Sequence, residues 1–139
     1  MPEIEIKLAT TPEGLAALLD DPGLGGPAEE RRFTTTYYDT VDWRLRRGGM
    51  ALRVRTDSDS REQTLKHGLG DGAGPIARAE WSAPLVDEFP VLHAFPAGAQ
   101  HAVAPLLGRR RLWAYAQLVT DRTIRTALFR DSVIELAFD

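Results

Sequence analysis

Met1-Pro2-Glu3-Ile4-Glu5-Ile6-Lys7 opens the chain and decides how the rest is read. In strand geometry, alternate side chains point to opposite faces. Ile4, Ile6 and Leu8 would then share one face and Glu3, Glu5 and Lys7 the other, so residues 3–9 are expected to form a strand. Successive carboxylates on such a face lie about 7 Å apart, which at an effective dielectric near 20 is a repulsion of roughly 2 kcal/mol. A face open to water screens that repulsion; an enclosed face needs cations between the acids.

The same alternation recurs along the chain. Met50, Leu52 and Val54 oppose Arg53 and Arg55; Leu65 opposes Thr64 and Lys66; Ala79, Trp81 and Ala83 oppose Arg78, Glu80 and Ser82. Near the end Ile134, Leu136 and Phe138 oppose Glu135 and Asp139. Strands are expected at 31–39, 50–56, 61–67, 77–85 and 132–139, with two strands or one long bent strand over 112–129. Thr11-Pro12-Glu13-Gly14 reads as an N-cap with proline in the first helical position, opening a helix to about Asp20. Short helices are expected over 40–47, stopped by Gly48-Gly49, and near 99–107. Strands joined without long helical crossovers imply an antiparallel sheet.

Composition sets the limits. A length of 139 residues corresponds to one domain able to bury its own core. With no cysteine, disulfides and thiolate metal sites are excluded. No apolar run is long enough to cross a membrane as a helix and no signal-peptide pattern is present, so a cytoplasmic protein is the default expectation. The net charge of −3 argues against a general nucleic-acid binder. Lys7 and Lys66 are the only lysines, which suggests positions where a compact ammonium is needed.

Two architectures satisfy a sheet with one charged face. In one, the sheet is open and the mixed charges pair in water. In the other, the sheet closes into a barrel whose lumen holds the charges, and the enclosed groups require counter-ions. A polyphosphate with divalent cations supplies both signs, because arginine forks match phosphate oxygens and lysine acts as a point charge.

The order of the motifs resembles the CYTH domain, the triphosphate tunnel metalloenzyme family of class IV adenylate cyclase and thiamine triphosphatase. Glu3-Ile4-Glu5-Ile6-Lys7 is similar to its N-terminal Glu-x-Glu-x-Lys strand. Tyr37-Tyr38-Asp39-Thr40 with Asp42-Trp43-Arg44-Leu45, Ala51-Leu52-Arg53-Val54-Arg55, Thr64-Leu65-Lys66 and Arg78-Ala79-Glu80-Trp81 resemble the motifs that follow. So do Thr120-Asp121-Arg122 with Arg125, and Ile134-Glu135-Leu136-Ala137-Phe138-Asp139.

The resemblance implies a mainly β (α+β) fold over 1–139 as a single domain. That fold is an eight-stranded antiparallel β-barrel tunnel with a charged lumen and a few short flanking helices. It implies metal-dependent hydrolysis of a triphosphate, with the segments around Asp121–Arg125 and Arg78–Trp81 closest to the branch that acts on inorganic tripolyphosphate. Catalytic roles fall to Glu3, Glu5, Lys7 and Glu80, and phosphate binding to Lys7, Arg53, Arg55, Lys66, Arg78, Arg122 and Arg125. Metal binding falls to Glu3, Glu5, Glu135 and Asp139, whose hard oxygens suit Mg²⁺ or Mn²⁺. The family's closing strand beyond the one matching Glu135 is missing, so a fragment, a naturally degraded domain or a tunnel completed by a second chain is expected. A C-terminal helical CHAD domain is the other partner implied. The alternatives are a polyphosphate- or nucleotide-binding module without turnover, an adenylate cyclase, a thiamine triphosphatase, or a β-sheet interaction domain whose charges face water.

The remaining residues carry less. His67, His93 and His101 have no metal spacing and read as structural. Trp43, Trp81 and Trp113 read as outer-core packing, and Arg109-Arg110-Arg111 as a solvated run able to steer anions. The Gly68–Gly74 loop lacks the Gly-Lys-Ser/Thr ending of a nucleotide-binding loop.

Overall fold

A computed structural model of the chain describes residues 4–68 and 79–139. Glu3 and Arg78, and with them most of the 68–74 loop, lie outside the described residues. The elements are α1 (Pro12–Asp20), β1 (Glu29–Asp39), α2 (Arg44–Arg47), β2 (Met50–Thr56), β3 (Arg61–His67), β4 (Ala79–Pro84), α3 (Ala97–Leu107), β5 (Trp113–Phe129) and β6 (Ser132–Phe138). Single 3₁₀ turns lie at Pro22–Leu24 and Leu92–Ala94. Hydrogen-bonded strands follow the order β4-β3-β2-β1-β5-β6. The fold is mainly antiparallel β with short helices, as expected, but the described residues form six strands rather than eight.

The chain divides into two compact units, Phe33–Val119 and Met1–Arg32 with Thr120–Asp139. In the first, β1, β2, β3 and β4 pair antiparallel in sequence order. One face of this sheet carries Tyr38, Leu52, Val54, Leu65 and Ala83, and packs with Leu45 of α2 and Ala99, Val103 and Leu107 of α3 into the core. Each large aliphatic side chain buried this way contributes about 1.5–3 kcal/mol. Gln63 sits among them fully buried and satisfied: its amide donates to the Val91 carbonyl at 2.8 Å and accepts from the Val91 N–H at 2.9 Å.

The expected helix over 40–47 starts only at Arg44. Asp39 explains the delay. Its carboxylate accepts from the N–H groups of Thr40, Leu45 and Arg46, so it caps the helix from outside. Thr40 Oγ1 accepts from the Arg44 N–H at 3.0 Å. The intervening turn places Trp43 at φ 58°, a left-handed conformation that costs a non-glycine residue about 1 kcal/mol or more.

In the second unit, Thr11 caps α1 by accepting from the Gly14 N–H at 3.1 Å, with Pro12 opening the helix. β5 and β6 form a hairpin from Thr123↔Phe138 to Phe129↔Ser132, and β5 is one continuous strand. Gly25 lies at φ 109°, and a Cβ there would stand 2.3 Å from the Thr126 carbonyl oxygen, so only glycine allows this loop to approach β5.

The expected strand at 3–9 is absent from the described part, residues 4–9, which lack regular secondary structure. Ile4 and Leu8 are 77% and 88% exposed. Alternation reports which way side chains would face; it does not supply the neighbouring strand whose hydrogen bonds make a ladder.

Candidate functional site

The face of the β1–β4 sheet opposite the core carries the charges, and the strand register places them in rows. Thr35 lies opposite Arg55; Tyr37 opposite Arg53, Arg53 opposite Thr64 and Thr64 opposite Ser82; Lys66 lies opposite Ala51 and Glu80. Directly opposed residues lie about 4.5–5.5 Å apart. Arg53, Arg55 and Lys66 therefore share one patch with Glu80, as their alternation implied.

Each cation is held differently. Arg55 stacks its guanidinium 4.9 Å over the Phe33 ring and donates from Nε to Thr35 Oγ1 at 3.4 Å. Cation–π contact of this kind contributes about 0.5–2 kcal/mol and fixes the fork. Lys66 Nζ lies 3.1 Å from Glu80 Oε2, a half-exposed pair that contributes at most about 1 kcal/mol and exchanges readily with another anion. Arg53 is the exception. Its Nε is shut off from water and has no hydrogen-bond partner. On the β3 side Thr64 lies directly opposite, with its Oγ1 engaged with Ser82 Oγ at 3.0 Å. An N–H buried without an acceptor costs about 1–3 kcal/mol, more on a charged group.

At the end of this face Tyr37, Trp43 and Tyr115 come together. Tyr115 lies 6.1 Å from Tyr37 and 4.9 Å from Trp43, edge-on to the latter. Burial, reinforced by Asp39 and Tyr37, raises the Tyr115 hydroxyl pKa above its ordinary value and keeps it a neutral donor. Trp43 and Trp113 remain nearly half exposed, against the expectation of core packing, while Trp81 does pack on the core. Thr35, Thr64 and Ser82 could have been added to the site from strand parity alone; nothing in the sequence joins Tyr115 to Trp43.

The other expected residues lie in the unit of α1, β5 and β6. Arg122 is gripped by Asp139 through two hydrogen bonds of 2.5 and 2.7 Å. That bond, with the charges of Glu135 and Glu5, holds its guanidinium pKa above the ordinary value. Lys7 lies 3.7 Å from Glu5, both exposed. Arg125 is differently employed: it is 8% exposed, and its guanidinium donates to the carbonyls of Leu19, Asp21, Gly25 and Gly26 at 2.9–3.2 Å. It pins the loop after α1 and has at most one N–H left for a phosphate.

The carboxylates named for Mg²⁺ or Mn²⁺ do not form a metal site among the described residues, where no three Asp, Glu or His side chains converge. Glu5, Glu135 and Asp139 instead direct their charge at Arg122.

The CYTH domain model matches residues 1–139. The chain belongs to the CYTH domain family. That family includes cyclases and triphosphatases acting on triphosphates, generally with a divalent metal. No curated protein matches this CYTH chain in sequence. Among solved structures, a "putative adenylate cyclase" from Bacillus halodurans superposes with a TM-score of 0.59 at 18% identity, covering 92% of this chain and 67% of that one. The likeness supports the mainly antiparallel β fold. No helix among the described residues is long and apolar enough to cross a membrane.

Proposed function

We propose that this CYTH domain binds a triphosphate on the face formed by Arg53, Arg55 and Lys66 and hydrolyses its terminal phosphoanhydride bond, with inorganic tripolyphosphate as the substrate. The observation that carries the reading is Arg53 Nε, a cationic donor buried at the centre of the patch without a protein acceptor. A phosphate oxygen is an acceptor it can meet once the side chain turns outward, since the Nε is closed to water in the free protein. Arg55, held flat on Phe33, offers a second fork, and Lys66 can release Glu80 to meet a stronger anion. Together they neutralise phosphate charge and hold the chain of phosphates in line, which is where phosphoryl-transfer catalysis draws most of its rate. A divalent metal would add Lewis-acid stabilisation and an activated water. The described residues alone do not fit one, so the contribution they make to the reaction is that of the cations.

A second reading is favoured by the aromatic cluster. Tyr37 stands directly opposite Arg53, and Trp43 and Tyr115 extend from it, so a triphosphate bearing an aromatic base has a place to stack. Phosphate release from tripolyphosphate, ATP and thiamine triphosphate, with and without Mg²⁺ or Mn²⁺, tests the proposal against both alternatives. Arg55→Met and Lys66→Met should each lower kcat/KM on tripolyphosphate by about 10-fold or more, the loss of one charge-assisted hydrogen bond. Unchanged kcat/KM in both variants would remove this face from the reaction. Binding of tripolyphosphate without release would make the domain a binding module.

A further inference from the structure

Beyond the aromatic cluster that ends the Arg53 face, α2 and the turn joining α3 to β5 bring a second group of cations together. Segments 42–47 and 109–111 hold six arginines, Arg44, Arg46, Arg47, Arg109, Arg110 and Arg111, against one carboxylate, Asp42, in a chain whose net charge is −3. The two segments meet in space. Asp42 Oδ2 lies 2.9 Å from Arg44, 3.6 Å from Arg47 and 3.4 Å from Arg110. Arg44 also donates to the Leu106 carbonyl at 3.4 Å. Gly48 lets the elements close up, since a Cβ there would stand 2.5 Å from Leu106 Cδ1. Beside this cluster, between α2 and the C-terminal end of α3, is an open cavity of about 240 Å³ lined by Arg44, Arg47, Gly48, Pro105 and Leu106.

Asp42 organises this patch rather than cancelling it. Thr40 Oγ1 donates to its other oxygen at 2.8 Å, and the bonds from Thr40 and Arg44 hold its carboxyl down to about 2, so it stays ionised. One charge shared by three guanidiniums leaves a strong local excess. Arg47 and Arg110 keep 66% and 51% of their side chains exposed, with donors free to turn outward.

We propose that this patch is a docking site for inorganic polyphosphate longer than three phosphates. A run of closely spaced anions on a flexible chain can engage arginines from both segments at once, where a single small anion meets one or two. A single-stranded nucleic acid fits less well, because such readers need aromatic faces open for bases to stack on. Here Arg111 covers Trp113, the ring beside the Arg109–Arg111 run, at 4.7 Å. The proposal goes beyond the triphosphate reading and does not depend on it, since its readout is affinity rather than turnover.

The test is isothermal titration of the 139-residue domain with long-chain inorganic polyphosphate, tripolyphosphate and single-stranded RNA. Long-chain polyphosphate should bind the wild-type domain tighter than tripolyphosphate. If three phosphates are engaged, affinity should fall about 20-fold between 50 and 200 mM salt, by the behaviour of single-stranded polyanions. R47A/R110A should lose about tenfold or more in long-chain affinity with its melting temperature unchanged. R109A/R111A serves as the second variant if the first fails to fold. R53M should retain long-chain binding even though its tripolyphosphate affinity falls roughly 10- to 100-fold. Wild-type affinity in both arginine pairs, tighter binding of RNA, or loss of long-chain binding in R53M would each overturn the proposal.

Discussion

Arg53→Met separates binding from stability by moving them in opposite directions. In the free protein Arg53 Nε is buried without an acceptor, at a cost of about 1–3 kcal/mol. Methionine keeps most of the apolar stem and removes that donor, so the free domain should gain about 1 kcal/mol. At about 2.1 cal/mol/K of unfolding entropy per residue, that is a rise of about 3 °C in Tm. The same change removes a charge-assisted hydrogen bond to phosphate, about 1.5–3 kcal/mol, so tripolyphosphate affinity should fall roughly 10- to 100-fold. Calorimetric melting of the free protein and titration with tripolyphosphate read the two effects separately. A variant that melts several degrees lower and binds tripolyphosphate as the wild type does would refute the reasoning, because Arg53 would then be a structural residue.

The remaining expectations concern the scaffold. Arg125→Met leaves four loop carbonyls without their shared donor and should destabilise by about 3 kcal/mol in urea unfolding, with amide exchange accelerated first around residues 19–26. Gly25→Ala should loosen the same loop by about 2 kcal/mol, since its φ of 109° and the Thr126 carbonyl both reject a Cβ. Asp42 ionises with a pKa of about 2 when folded, against 3.8 ordinarily. Its stabilising contribution is therefore complete above about pH 4 and disappears as pH falls through about 2. Melting temperatures from pH 5 to pH 2 should show a shallower acid-side fall in Asp42→Asn than in the wild type.

How far the sequence could be read depends on which interactions set each element. Met50–Thr56 and Arg61–His67 appear at the expected bounds because both strands pack one face on a core, and a one-residue slip would bury Arg53 or Lys66. The Pro12–Asp20 helix was legible from its local cap at Thr11. Arg53, Arg55, Lys66 and Glu80 were placed together correctly by parity, which needs no knowledge of the turns. Residues decided by distant partners were not legible. Arg125 looks like any strand arginine until the loop carbonyls of 19–26 are seen around it. Asp39 and Thr40 spend their oxygens capping α2, which shortens the expected helix. The opening Glu-x-Glu-x-Lys segment has the alternation of a strand without the ladder of one among the described residues.

Phosphate release by the wild-type domain from tripolyphosphate, measured beside ATP and thiamine triphosphate with Mg²⁺ or Mn²⁺ supplied and withheld, tests the central claim most directly. The account predicts release from tripolyphosphate whose kcat/KM Arg53→Met lowers roughly 10- to 100-fold. Absence of release would contradict it: with a tripolyphosphate-induced rise in Tm the domain is a binding module, and without one it is a sheet whose charged face meets only water.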